Sequence, residues 1–172
     1  MNKKLRSSAA RVAFLGMCIS CALILSYVEL LLPPISTVAP GIKMGLANTM
    51  TVFVLYRAGV RPAAVVLTLR ILLSSLLFGS AVSLVYSSLG GVISFCLMVL
   101  LRKTDKFSPV GVSTAGAVSH NAGQIFGAVI LMNTPEISYY FPILAISGTL
   151  SGIFVGILGG MLLKTLQNVK LY

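Results

Sequence analysis

Acidic side chains are nearly absent from this chain of 172 residues: Glu29, Asp105 and Glu136 stand against thirteen lysines and arginines. Three scattered carboxylates cannot form the cluster that holds Mg²⁺ for phosphoryl or prenyl transfer. The one histidine, His120, has no evident carboxylate in the sequence to orient it as a catalytic base. Phosphate-binding glycine loops, the dinucleotide fingerprint and the nucleophile elbow are missing as well. We therefore expect no catalytic residues, no cofactor and no metal, so the chain is not read as an enzyme, and ATP-driven work would need another polypeptide. Cysteine is scarce too. Cys18, Cys21 and Cys96 all lie in apolar segments, and the Cys18/Cys21 pair reads as two small membrane residues rather than a redox or zinc motif.

Charge of either sign is thin: 9% of the chain is charged and 57% hydrophobic, where a soluble domain carries roughly 25% charged residues. What charge there is has a pattern. Lys3, Lys4, Arg6 and Arg11 open the chain, Arg57 and Arg61 follow, then Arg102, Lys103 and Lys106, and finally Lys164 and Lys170. The alternate gaps around residues 33–43, 79–80 and 133–138 hold one basic residue, Lys43. That alternation is the positive-inside pattern, and it implies an even number of crossings with both ends cytoplasmic. The net charge of +10 then matches anionic lipid headgroups better than nucleic acid, because it is segregated to one side.

The apolar segments divide the chain into a basic stretch 1–11, a membrane domain 12–163 and a tail 164–172. Six helices are expected, over Val12–Leu32, Met44–Tyr56, Pro62–Phe78, Ala81–Leu101, Val110–Met132 and Tyr139–Leu163. The first apolar run is too long for a signal-peptide core and lacks a small-residue cleavage site, so it reads as a retained anchor. Pro33-Pro34 stops the first helix. The second is short for about 30 Å of hydrocarbon, and must be supplemented by the preceding loop or sit in a protein-lined region. The fold class is thus an all-α membrane bundle of six transmembrane helices.

Two stripes of small residues stand out, Gly148-Gly152-Gly156-Gly160 and Gly111-Ala115-Ser119-Gly123-Gly127. Such stripes let helices approach closely, and the expectation is that the two face each other inside the chain, the alternative being that one faces a partner protein. Polar residues within the spans are rarer and more informative. Arg70 lies nine residues beyond Arg61, roughly 13 Å of helix rise, too deep to snorkel comfortably, so it needs a partner or a wet cavity. His120 and Gln124 share a helix face, with Asn121 three residues before Gln124. Asn48 sits near Lys43. Polar cross-links between helices would explain the asparagines alone, but a buried cation beside His120 and Gln124 favours a ligand cavity. The expected substrate-binding set is Lys43, Asn48, Arg70, His120, Asn121 and Gln124, with Tyr86 as a stacking wall. Its cationic bias suggests a small ligand bearing carboxylate or phosphate.

Three strings carry a family resemblance. Pro40-Gly41-Ile42-Lys43-Met44-Gly45-Leu46-Ala47-Asn48 resembles the signature of the bacterial Gx transporter family, with Met44 in place of its usual leucine. That family is also labelled heptaprenyl diphosphate synthase component I. Residues 69–80 and 116–124 resemble two further blocks of it. The family is similar to the substrate-binding S components of energy-coupling-factor transporters. The resemblance implies a multi-pass protein of the bacterial cell membrane that captures a vitamin or precursor near the outer face. It implies partners too, a transmembrane scaffold and two ATPases, with Ala9, Ala13 and Gly16 (continued by Ser20) as the matching contact face. The synthase label implies a different role, a non-catalytic accessory subunit in isoprenoid or quinone metabolism.

Overall fold

The computed structural model describes residues 3–31 and 45–168. They form six α-helices: α1 (Lys3–Leu31), α2 (Asn48–Ala58), α3 (Val60–Phe78), α4 (Ala81–Lys103), α5 (Pro109–Met132) and α6 (Phe141–Thr165). A 3₁₀ segment, Pro135–Tyr140, leads into α6, and no strand occurs among the described residues. The joints follow local chemistry. A single residue links α2 to α3, and it is Gly59 at φ +98°, a backbone state that side-chain-bearing residues rarely adopt. Ser80 caps α4 by accepting from the Ser83 amide at 3.2 Å. Ser108 does the same for α5 through the Gly111 amide at 3.2 Å, with Pro109 in the first turn.

Two helix starts differ from the sequence reading by more than two residues. Helix α1 begins at Lys3 rather than Val12, because lysine and arginine are good helix formers and no breaker precedes the apolar run. Helix α2 begins at Asn48, since Gly45 adopts φ +68° and interrupts helical geometry. The expected loop 33–43 and Met44 lie outside the described residues.

Helix α2 is the centre of the bundle. Seven consecutive residues, Thr49 to Leu55, are buried, so no face of this helix is turned outward. Around it pack Phe14, Cys18 and Ala22 of α1, Ala63 and Val66 of α3, Met98 of α4, Val112 of α5 and Val155 of α6. A helix wrapped by protein needs neither the length nor the apolar exterior of a lipid-facing one. Its 11 residues are short for that reason. Arginines fasten this end of the bundle. Arg102 donates to the Tyr56 carbonyl at 3.3 Å, and its guanidinium lies 5.3 Å from the Tyr56 ring centre. Arg57 donates to the carbonyls of Leu166 and Gln167, at 3.3 and 3.2 Å, beyond the end of α6.

The glycine stripes pack inside the chain, but not on each other. Gly148, Gly152 and Gly156 of α6 face α5. A methyl group on them would lie 2.7 Å from Asn121 Nδ2, 2.6 Å from Thr114 Cα and 2.5 Å from Val110 Cα. Helix α5 turns a different side to α4, where a methyl on Gly123 would stand 2.8 Å from Gly90 Cα and one on Gly127 2.8 Å from Leu89 Cδ1. Gly160 meets nothing within 4 Å and does not belong to the contact.

Among the described residues, four segments are long and apolar enough to cross a membrane: Ala9–Leu31, Val60–Phe78, Ala81–Lys103 and Pro135–Thr165. Helix α5 falls short through its serines, threonine and amides, which it can carry because α4 and α6 cover two of its sides. The backbone contacts generate a prediction. Gly156→Ala should force α5 and α6 apart, costing about 1–3 kcal/mol by overpacking, read as a melting temperature lowered by several degrees in detergent. Gly160→Ala should be neutral or slightly stabilising, since alanine favours helix over glycine. Equal behaviour of the two variants would contradict the α5–α6 contact.

Candidate functional site

At the end of the bundle remote from Arg57, Arg102 and Lys164, all six helices converge on one cavity of about 130 Å³. Its lining comes from the C-terminal parts of α1 and α3, the starts of α2 and α4, and the middles of α5 and α6. Its wall is polar, which is unusual among helices this apolar.

Arg70 reaches this space from the middle of α3. Its Nη2 donates to Asn48 Oδ1 at 3.2 Å. Its Nε is sealed from solvent and has no acceptor among the described residues. Guanidinium carries five N–H donors, so one amide oxygen leaves it far from saturated. Glu29 lines the cavity from α1 and interacts electrostatically with Arg70. The Glu29 carboxylate also accepts the Gly45 amide. The start of α2 is therefore held from two sides, by α1 through Gly45 and by α3 through Asn48.

The residues from α5 owe their position to the crossing with α4. A methyl on Gly90 would lie 2.7 Å from the His120 carbonyl, 3.0 Å from Gln124 Cγ and 3.1 Å from His120 Cε1. Backbone contact at Gly90 thus sets both side chains at the cavity wall. Asn121, on the same turn, donates through Nδ2 to the Leu144 carbonyl at 2.7 Å and ties α5 to α6. Beneath Asn48 a smaller space of about 20 Å³, bordered by Val52, Met98 and Ser113, is large enough for one water.

Of the residues expected from the sequence, Asn48, Arg70, His120, Asn121 and Gln124 all line the cavity. Lys43 lies outside the described residues. Tyr86 is not in the cavity wall; its ring rests by Gly127, where a methyl would be 3.4 Å from Cδ1. With no side chain at Gly127, the ring is drawn to the α4–α5 seam instead of the cavity. Ala9, Ala13, Gly16 and Ser20 lie on an exposed face of α1, with nothing within 4 Å of a methyl placed on Gly16. The sequence reading missed Glu29 as a wall residue, and it missed the hydroxyls of Ser26, Ser74, Ser75, Ser83, Ser87 and Ser151. Serine is common in membrane helices and carries no periodic signal, and Glu29 lies close to the Pro33-Pro34 stop. Among the described residues no group of three His, Cys, Asp or Glu side chains is placed to hold a metal ion.

Apolar helices of spanning length around a polar cavity define a helical membrane protein. Residues 18–162 match the family described as heptaprenyl diphosphate synthase component I, and the chain belongs to that family. No curated protein and no solved structure matches it.

Asn121 offers a test of which wall residues are structural. Asn121→Ala removes the bond to Leu144 and should lower stability by about 0.5–1.5 kcal/mol. The change should appear as a modest drop in melting temperature with no additive present. An unchanged melting temperature would show that this bond does not hold α5 to α6.

Proposed function

We propose that the chain is a non-catalytic membrane component that binds a small molecule bearing carboxylate or phosphate in the cavity around Arg70. The supporting observation is the state of that guanidinium: within a helix of spanning length, in a polar space built by six helices, with one hydrogen-bond acceptor among the described residues. A structural arginine would be saturated by fixed acceptors, because each unmet donor in a low-dielectric setting is costly. In this reading the chain crosses the bilayer six times. Residues 1–11, 57–61, 102–108 and 164–172 are cytoplasmic, and the cavity opens toward the outer face. The exposed Tyr139 and Tyr140 suit an outer headgroup boundary. Cysteine labelling in intact cells should modify positions in 133–138 and spare 102–108; an outward-facing Asp105 would overturn the six-crossing arrangement.

Uptake of a vitamin or precursor requires an energy source that this chain lacks. The proposed partners are a transmembrane scaffold and ATPases, docking on the exposed face of Ala9, Ala13, Gly16 and Ser20. The family description favours a second reading, an accessory subunit beside a prenyl diphosphate synthase. Affinity purification from the native membrane separates the two, by recovery of ATPases or of a prenyl synthase subunit.

Binding itself is tested by melting curves of the detergent-purified protein with acetate, succinate, phosphate and diphosphate. A ligand at a hundred times its Kd stabilises by about 2.7 kcal/mol. Parent protein should gain several degrees with at least one of these anions. Arg70→Gln should lose that response while melting close to the ligand-free parent, because glutamine fills similar space and removes a buried charge. A large loss of ligand-free stability with the anion response intact would make Arg70 structural and overturn the proposal.

A further inference from the structure

The outer surface of the bundle repeats one arrangement on three helices. On α3, Val65, Leu69, Leu72 and Leu76 are exposed, and their spacing puts them on one helix face with Arg61 at its foot. On α4, Val85, Val92 and Leu100 are exposed along a face that ends at Lys103. On α6, Ile146, Leu150, Ile157 and Met161 form a face that ends at Lys164. Each apolar stripe thus stops at an exposed cation. The far ends of the stripes, residues 76–85 and 141–150, contain no charge.

The three cations stand at the same end of the bundle. Arg57, near the end of α2, donates to carbonyls just beyond α6, Arg102 reaches from α4 to the Tyr56 carbonyl, and Gly59 alone separates α2 from α3. Arg57 and Arg102 are committed to these joints. Arg61, Lys103 and Lys164 are exposed, and no hydrogen bond or ion pair ties their side chains to another described residue. Lys106 adds a further exposed cation in the α4–α5 link, where Asp105 is the one acid. Like charges gathered in this way repel one another and favour a counter-charge from outside the chain.

The stripes select that counter-charge. Val85 to Lys103, and likewise Ile146 to Lys164, spans eighteen residues, roughly 27 Å of helix rise, close to the about 30 Å of a hydrocarbon core. A stripe of this length lies against acyl chains and sets its cation at the depth of the phosphates. There a basic side chain keeps its stem among apolar groups and its head in the headgroup layer. We propose that the outer faces of α3, α4 and α6 bind anionic phospholipid, with acyl chains along each stripe and the headgroup phosphate on Arg61, Lys103 or Lys164. A zwitterionic lipid brings an ammonium with its phosphate and leaves the excess positive charge uncompensated. The demand falls on one leaflet, because the far ends of the stripes bear no cation. None of this depends on what the cavity holds.

Native mass spectrometry of the full-length protein in neutral detergent tests the assignment, with phosphatidylglycerol and phosphatidylcholine of the same acyl chains as probes. Phosphatidylglycerol should bind the parent about five-fold or more tighter, the factor that one basic residue near an anionic surface contributes. Added salt should reduce that preference. Arg61→Gln, Lys103→Gln and Lys164→Gln combined should lose most of it, while melting at or above the parent in neutral detergent because like charges have been thinned. Each single variant should lose one bound anionic lipid, which gives the same reading if the triple variant expresses poorly. Arg61→Lys, Lys103→Arg and Lys164→Arg combined should keep the preference. Equal binding of the two lipids to the parent overturns the proposal, and so does a preference that survives in the glutamine variants. If glycerol 3-phosphate displaces phosphatidylglycerol at equal concentration, the cations serve a soluble anion and the lipid assignment falls. If the parent binds neither lipid and instead forms a defined oligomer, a second copy covers the stripes and the assignment falls as well.

Discussion

Half of the polar cavity depends on how closely α5 can approach its two neighbours. In lipid there is no hydrophobic drive to press helices together, so association rests on atomic contact and on hydrogen bonds that need short distances. The contacts here are backbone to backbone. Gly90 meets Gly123 on one side of α5, and Gly152 and Gly156 meet Thr114 and Val110 on the other. Widening either seam by a single methyl would withdraw His120 and Gln124 from the cavity wall and stretch the Asn121–Leu144 bond. The glycines are thus not merely tolerated in these helices; they set the distance at which a polar face can be assembled.

The other half of the architecture is α2, enclosed on all sides. A helix that touches no lipid can be short and can hold Thr49 and Thr51 in its buried face. Because it is short, it begins well within the bundle, and Asn48 enters the cavity from its first residue. Glu29 and Arg70 grip that beginning from α1 and α3. Polar side chains of the neighbouring helices gather around that start.

Much of this was legible in the sequence, for reasons that can be named. Each helix announces itself by a long apolar run bounded by proline, glycine or basic residues. A cation at mid-helix is so costly that Arg70 pointed to a polar space, and the spacing of His120, Asn121 and Gln124 placed them on one turn. The relative rotation of helices was not legible. The stripes on α5 and α6 looked like a mutual pair, yet α5 has two contact sides, and a linear pattern does not say which neighbour each side meets. Gly160 continued the four-residue repeat but lies past the region of contact. Tyr86 looked like a ligand wall by its chemistry and was diverted by the missing side chain at Gly127. The serines were overlooked because a hydroxyl is not expensive enough to demand explanation at the level of sequence.

The arginines at the opposite end have a double duty. Arg57 neutralises exposed carbonyls beyond α6, and Arg102 does so near the end of α2 while covering the Tyr56 ring. The same charges bias which loops stay on the inner side of a membrane. Orientation and cohesion are therefore encoded in shared residues. Many membrane proteins can drift in topology during evolution by trading a few surface lysines, because those lysines hold nothing. In the topology proposed above, such a trade would also unfasten helix ends from one another, so the fold itself would oppose inversion of the chain in the bilayer.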